Sequence, residues 1–268
     1  LGTGVKATQV TRSYDRFVSE QLVASNSAYA RWSAQGTAMG EIEAIFNESD
    51  EYGMNYLMSE FWNAWSDLSN NVDGSAERSA LLAKASNLSS AIKDIDYNLR
   101  AYQDYLDSNI QASVSTVNSL IQQIADLNQS ITATEIKGVI NANSLRDARD
   151  TAIKELSSYL DINYYEDEVS GQMQVFVLGG TPLVLGNSAY ELSAEVNAAN
   201  GSTDIMWNDA SGRQVNLTGK LEGGKLAGWV EVRDTKIGGY LDSLNTLFEE
   251  MIWQVNSLHS EGSGLSSV

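Results

Sequence analysis

The sequence predicts an α+β fold: an elongated helical bundle, or coiled-coil-like rod, that carries a small inserted β domain. Apolar residues recur in steps of three and four across residues 85–131, and no Gly or Pro interrupts that stretch. After Asp161 the sequence changes to short runs rich in β-branched and aromatic residues. The spacing of apolar residues by threes and fours keeps one seam of a helix facing a partner helix. Counted from Ser75, this helix would be roughly 80 Å long at about 1.5 Å per residue.

Shorter helices are predicted on either side of the long one. The same spacing recurs across residues 14–45, and after a polar linker at 47–53 it returns in a short amphipathic stretch at 54–68. A turn at 70–74 leads to Ser75, a residue type that caps helix N-termini, with Glu77 in the first turn. A further helix is predicted at 145–160, and a single final helix is predicted from Leu226 to Leu258.

Short strands are predicted between Asp161 and Glu222, where glycine and asparagine turns separate β-rich runs. Pro182 opens one of these runs, a position where a missing N–H is tolerated. The runs are 162–165, 173–177, 183–185, 205–207 and 215–217. We therefore predict three segments: residues 1–160 as the first part of the helical rod, 161–222 as a small inserted β domain, and 223–268 as the returning helix of the rod.

Composition excludes several classes of partner. The formal net charge is −18, and so acidic a surface repels nucleic acid and anionic membranes. No apolar run approaches the length that spans a bilayer. Cysteine is absent, which removes disulfides and thiolate chemistry and fits a protein exported in an unfolded state. The first and last residues resemble neither a signal peptide nor a finished terminus, so we expect a fragment of a longer protein.

No catalytic, metal or cofactor site is predicted. His259 is the only histidine and sits near the end of the final helix, where capping or packing is expected. The segment from Ser69 to Gly74 lacks the ligand spacing of a calcium loop. Residues 166–168 form an acidic run that we interpret as a solvated turn, and the paired glycines lack the pattern of a phosphate loop. The tryptophans of residues 61–65 are expected in the core. The protein is therefore not expected to be an enzyme.

Several short motifs occur in a fixed order along the chain, and together they carry a family resemblance. They are Gly2, Gly4, Val5, Arg12, Asp15 and Phe17; Gln21 and Leu22; Phe61, Leu68, Ser69, Ala76 and Arg78; Asn118, Leu120, Gln123, Ile124, Ala125, Leu127 and Asn128; Asn143, Leu145, Asp147, Arg149, Asp150, Glu155, Leu156 and Ser157; Gly223, Gly224, Leu226, Gly228, Arg233, Asp234, Val255, Asn256, His259 and Gly262. This series resembles the flagellar hook-associated protein 1 family and covers nearly the whole chain.

The resemblance implies a structural adapter of the bacterial flagellum at the junction between hook and filament. It implies hook subunits and the second hook–filament junction protein as partners, and self-assembly of the full-length protein into a ring. It also implies export through the type III apparatus without a cleaved signal peptide, a secreted extracellular location, and a chaperone bound by a C-terminal segment outside this sequence. No cofactor, nucleic acid or membrane is implied.

Two alternatives stay open from the sequence. One is a flagellin-like filament protein or the second junction protein, and the other is a helical ligand-sensing ectodomain beside a transmembrane helix. Polar residues of the matched motifs are candidates for contacts between subunits or between helices of one subunit: Arg12, Asp15, Asn128, Arg149 and Asp150.

Overall fold

The computed structural model describes residues 12, 14–46, 53–136, 140–209 and 211–261. The motif residues Gly2, Gly4, Val5 and Gly262, and the predicted linker up to residue 52, lie outside the described residues. The chain divides into two compact units. The first unit contains the described residues up to Gly36 together with Leu106–Glu231, and the second contains Thr37–Tyr105 with the described residues from Val232 onward.

Long helices and a small antiparallel β region confirm the predicted α+β class. The helices before the β region are α1 (Arg16–Phe46), α2 (Met54–Asn70), α3 (Ser75–Thr134) and α4 (Asn143–Ser157). Asp15 begins α1 as its N-cap, because its Oδ1 accepts the N–H of Val18 at 3.2 Å. None of the described helices is long and apolar enough to cross a membrane.

Helix α3 follows the predicted heptad seam along its whole length. In the second unit the buried seam residues include Leu88, Ile95 and Leu99, and in the first unit they include Leu106 and Ile110. The predicted N-cap is wrong by one residue: Ser75 is already helical, and the carbonyl of Gly74 accepts the N–H of Arg78 at 3.3 Å. Glycine serves at this position because its backbone reaches the extended cap geometry easily.

The first unit contains two antiparallel sheets. One has strand order β1 (Ile162–Glu166), β2 (Met173–Val177), β3 (Thr181–Leu185) and β4 (Ser188–Ala189). The other has order β5 (Leu192–Val196), β6 (Thr203–Asn208) and β7 (Gln214–Asn216). The sequence did not predict β4 and β5, because β4 has two residues and β5 buries only Leu192. The predicted domain boundaries after residues 160 and 222 stay a prediction.

A single core joins these sheets to helices within the first unit. Apolar side chains of α3, α4 and the strands share one buried cluster, which includes Ile121, Leu156, Val175 and Ile205. Strands β2 and β6 bury alternate residues, because one face of each packs on this core. The packing fixes the orientation of the polar side chains described below.

The final helical stretch is not one helix. It consists of α5 (Gly224–Val230), a π turn (Glu231–Lys236) and α6 (Ile237–Glu261), and a short 3-10 turn (Thr218–Lys220) precedes it. The prediction of a continuous helix is therefore wrong at the π turn. Apolar residues still step by threes and fours through that turn, so the periodicity gives no sign of the wider geometry.

Candidate functional site

Asn128 and Arg149 form the centre of a buried polar network in the first unit. Both side chains are fully buried, one on α3 and the other on α4. The Nη1 of Arg149 donates to Asn128 Oδ1 at 3.0 Å and to the carbonyl of Gly171 at 2.9 Å. Its Nη2 donates to Glu166 Oε2 at 3.1 Å, while its Nε has no partner among the described residues. The guanidinium thus joins α3 and α4 to the end of β1 and to the turn between β1 and β2.

Burial lowers the pKa of Arg149 from its ordinary value, and the Glu166 carboxylate opposes that shift. An arginine nevertheless stays charged inside a protein. A buried charge is tolerated only when it is paired and hydrogen-bonded. Glu166 and the two oxygen acceptors supply that compensation. The network therefore has a structural role, since it joins α3 and α4 to β1.

Arg146 extends the network toward the surface. Its Nε donates to Glu135 Oε1 at 2.7 Å, and its Nη1 donates to Glu166 Oε1 at 2.6 Å. The hydrogen bond from Arg146 lowers the pKa of Glu135, while burial acts in the opposite direction. Glu166 thus receives one arginine on each carboxylate oxygen. The interpretation of residues 166–168 as a solvated turn is wrong for Glu166, which is the last residue of β1.

Three side chains on α3 bind strand backbones at intervals of about three helical turns. Asp107 Oδ1 accepts the N–H of Thr203 at 2.7 Å on β6. Asn118 accepts the N–H and donates to the carbonyl of Leu192 on β5, both at 2.8 Å. Asn128 makes the same pair of bonds with Met173 on β2, at 2.9 and 2.8 Å. These α3 clamps hold both sheets in register with one helix.

The remaining candidate residues lie at the start of α1 and on α4. Arg12 forms ion pairs with Asp150 and with Asp147, the latter at 2.8 Å between Nε and Oδ1. Asp15 is the N-cap of α1, as described above. The structure thus brings Arg12 and Asp150 together, and separately Asn128 and Arg149. Whether any of them also contacts another subunit stays a prediction.

Asp107, Glu135 and Arg146 were not predicted from the sequence, and Asn118 had no predicted role beyond its motif. Their partners lie 11 to 96 residues away in the chain, so no local spacing reveals them. Asn118 and Asn128 carried one usable signal. Each places an amide beside the apolar seam of α3, and an amide is the side chain best suited to pairing with a strand's N–H and C=O together.

The glycine motif at residues 223–228 allows α5 to approach other backbone closely. A side chain at Gly228 would meet the carbonyl oxygen of Arg31 on α1 at 2.6 Å. One at Gly224, whose φ is +76°, would meet the backbone of Tyr159 at 2.2 Å. Only glycine satisfies both the close contact and the left-handed backbone. This motif is therefore explained by packing within the first unit.

No assembled catalytic or metal site occurs among the described residues. They contain no group of His, Asp and Glu side chains that could hold a metal ion. His259 is exposed in the last turn of α6, so the packing alternative for it is wrong. Of the aromatic residues on α2, Phe61 is buried but Trp62 is 46% exposed, so the core expectation holds only in part. In a cavity of about 180 Å³ beside Tyr14, Asp150 and Tyr164, the hydroxyls of Ser19 and Thr151 donate to backbone carbonyls of Asp15 and Asp147.

An exposed apolar stripe runs along α1 in the first unit. It consists of Val18, Leu22, Tyr29 and Trp32, which are 49–73% exposed and lie on one helix face. The opposite face, with Val23, Ser27 and Ala30, is buried. Between Gln21 and Gly36 the only charged residue is Arg31, although the whole chain carries a net charge of −18. A contiguous apolar surface of this kind marks a face that another element covers.

Comparison with known proteins gives concordant results. Residues 39–267 match the sequence model of a family described as the flagellar hook-associated protein FlgK helical domain. Flagellar hook-associated protein 1 of Bacillus subtilis (strain 168) is 32% identical over 171 residues, which are 64% of this chain and 34% of that protein. The protein of the same name from Escherichia coli (strain K12) is 27% identical over 265 residues, which are 98% of this chain and 48% of that protein.

A solved structure agrees in fold. The flagellar hook junction protein FlgK from Burkholderia pseudomallei matches with a TM-score of 0.71 and 23% sequence identity, over 80% of this chain and 39% of that one. At this identity the likeness concerns the fold. The chain spans about half the length, or less, of the curated relatives that it matches.

Proposed function

We propose that this chain, which belongs to the FlgK family of flagellar hook-associated proteins, is part of a structural subunit at the junction between the flagellar hook and filament. The observation that carries the proposal is the match of the FlgK helical domain to residues 39–267, combined with the agreement of the fold. The names of the relatives describe association with the flagellar hook, and the proposed function follows from membership of the same family.

The physical organisation of the first unit supports a structural role. Its buried polar groups join helices to sheets. The exposed stripe on α1 has the apolar character of a surface that becomes covered in an assembled particle. A subunit of an axial structure needs both features, because it must resist deformation and bury surface against its neighbours. Catalysis is not part of the proposed role.

The whole protein would contact hook subunits on one side and the second junction protein on the other, and its copies would form a ring. It would be an extracellular flagellar component, exported unfolded through the type III apparatus without a cleaved signal peptide. The absence of cysteine supports passage between compartments without disulfide formation. An export chaperone would bind a segment outside this sequence.

Immunogold electron microscopy of the source cells tests this proposal, using an antibody raised against the chain. One gold cluster is expected where each hook meets its filament. Label along the whole filament would show a filament protein instead, and label over the cell body would support a sensing ectodomain. Cells that lack the gene provide the control for antibody specificity, and they are expected to carry hooks without filaments.

A further inference from the structure

Strand β5 forms one edge of the three-stranded sheet, and every second residue of it directs its backbone groups away from β6. The N–H of Asn197, just after β5, donates to the carbonyl of Ser202 at 2.8 Å, so these two residues form a hydrogen-bonded pair. Bonded and non-bonded pairs alternate along an antiparallel ladder. Counted back along the observed register, Leu192, Ala194 and Val196 stand in non-bonded pairs, and their N–H and C=O groups point outward.

Helix α3 covers only the first of these three positions. Asn118 pairs with both outward groups of Leu192, as described above. Asp107, about three turns earlier on the helix, instead accepts the N–H of Thr203 on β6, which points away from β5. Because α3 crosses the sheet between these two contacts, it moves away from the rest of the β5 edge. The outward backbone groups at the other two positions have no hydrogen-bond partner among the described residues.

The side chains at these two positions are uncovered as well. Val196 is 69% exposed and Ala194 is exposed, although Thr203 and Ile205, directly opposite them on β6, are buried. Residues directly opposite each other project to the same face of a sheet. The core-facing side of the sheet therefore continues onto β5 beyond the end of the core. Lysine, proline or a bulge blocks many natural edge strands, and β5 contains none of these.

A groove of about 550 Å³ begins where the open part of the β5 edge ends. Its lining includes Asn118, which closes that edge, and Glu191, the residue before β5. From there it continues along α3 past Gln122 and Asp126 to Ser130. Amide and hydroxyl side chains can both donate and accept hydrogen bonds. The groove thus offers further partners to an extended chain that leaves the strand position at Asn118.

The surroundings of this edge and groove are acidic. Glu191 and Asp126 line the groove, and the exposed Glu195 lies between the two open positions of β5. No lysine or arginine occurs in residues 101–134 of α3 or in residues 186–212. Two copies of this edge paired with each other would bring like charges together, which disfavours self-pairing. Lysine or arginine on an incoming strand would be attracted instead.

We propose that the β5 edge and the adjoining groove bind an extended, basic segment of a partner protein as an additional strand. The outward N–H and C=O groups of Ala194 and Val196 pair with its backbone, and its apolar side chains cover the exposed face of β5. Its lysine or arginine side chains meet Glu191 and Glu195. In this mode main-chain bonds supply affinity, and side chains at alternate positions supply specificity. Such binding is independent of the proposed junction role.

Fluorescence polarisation of labelled peptides measures the binding. The probe is a short peptide of alternating lysine and valine, and its control has glutamate in place of each lysine. The basic peptide is expected to bind at least about tenfold more tightly than the acidic one. A third peptide keeps the lysines but carries a methyl group on every internal backbone nitrogen, and it is expected to lose that advantage. Equal binding of the basic and acidic peptides, or undiminished binding of the methylated one, would overturn the proposal.

Ala194→Pro tests the same edge in the protein. Proline removes the outward N–H and leaves the ladder to β6 intact, so the melting temperature is expected to change little. The affinity for the basic peptide is expected to fall about tenfold, whereas the matched Ala194→Val protein, which keeps the N–H, is expected to bind normally. A folded Ala194→Pro protein that binds the peptide as tightly as the unchanged chain would contradict the assignment.

Hydrogen exchange of the unchanged protein, followed by NMR, does not depend on any variant. The basic peptide is expected to slow exchange at the N–H groups of Ala194 and Val196, and unaltered exchange at both under saturating peptide would show that binding occurs elsewhere. Sedimentation velocity tests the other occupant. A dimer that Ala194→Pro abolishes would show that a second copy of the chain, rather than a basic partner, covers the edge.

Discussion

The side-chain amide of Asn128 pairs with both backbone groups of Met173, accepting its N–H at 2.9 Å and donating to its carbonyl at 2.8 Å. The same amide also donates to the carbonyl of Gly186 at 2.7 Å. One residue of α3 therefore occupies the place that a neighbouring strand would take beside β2. This arrangement joins helix and sheet by hydrogen bonds as well as by apolar contact.

Replacing Asn128 by Leu should strongly destabilise the first unit. The N–H and carbonyl of Met173 and the carbonyl of Gly186 would lose their partner inside the core. Each buried group left unsatisfied costs about 1–3 kcal/mol, so we expect a loss of about 3 kcal/mol or more. Urea unfolding followed by circular dichroism measures it, with the exposed Gln122→Leu as the control. A change below about 1 kcal/mol would contradict the clamp interpretation.

Arg149→Ala tests whether this arginine serves the fold or an interface between subunits. Its removal leaves Glu166 with only Arg146 and opens a cavity in the core, so we expect a loss of about 3–5 kcal/mol. The exposed Arg100, which pairs with Asp96 one turn away on α3, provides the control, and Arg100→Ala should cost below about 0.5 kcal/mol. An unchanged melting temperature together with lost assembly would instead place Arg149 at an interface.

The helices and most strands could be predicted from the sequence because their signals are local. Apolar spacing identifies α3, and β-branched runs flanked by glycine identify strands such as β2 and β3. The polar network could not be predicted in the same way. Arg149 was identified from a motif, but its partners Glu166 and Gly171 are brought to it only by the packing of α4 on β1 and β2. Such partners depend on tertiary contacts, which no local pattern specifies.

The same limit explains the π turn and the weak strands. Val232 and Arg233 fit an α-helical spacing in sequence, and the bond from Gln103 to the carbonyl of Arg233 depends on tertiary contact. Strand β5 has a single buried residue, so its position depends on pairing with β6 and on Asn118 rather than on its own composition. Elements that depend on neighbouring elements for their stability have only a weak sequence pattern of their own.

Acidification should weaken the first unit through Glu135. The hydrogen bond from Arg146 lowers the pKa of this carboxyl below its ordinary value of 4.5. A carboxyl with a depressed folded-state pKa contributes stability above its unfolded pKa and loses that contribution as pH falls through the folded value. We therefore expect the contribution of Glu135 to the free energy of unfolding to be constant near neutral pH and to fall below about pH 4.5.

Glu135→Gln is the matched variant for that pH dependence. It keeps the size of the side chain and removes its titration, so the acid-induced loss should become shallower while stability at neutral pH decreases. Urea unfolding between pH 3 and pH 7, at constant ionic strength, measures both effects. Identical pH profiles for the two proteins would exclude Glu135 as a source of acid sensitivity.

Two glycines in the same final helical stretch should respond oppositely to alanine. Gly228→Ala should destabilise the first unit by more than about 1 kcal/mol, because the new Cβ would lie 2.6 Å from the Arg31 carbonyl oxygen. Gly238, in the first turn of α6, has nothing within 4 Å of such an atom. Gly238→Ala should therefore stabilise by about 0.5–1 kcal/mol, since alanine reduces the backbone entropy lost on folding. Thermal melting of both variants gives the comparison, and a Gly228→Ala protein as stable as the unchanged chain would show that α5 does not approach α1 as closely as the motif requires.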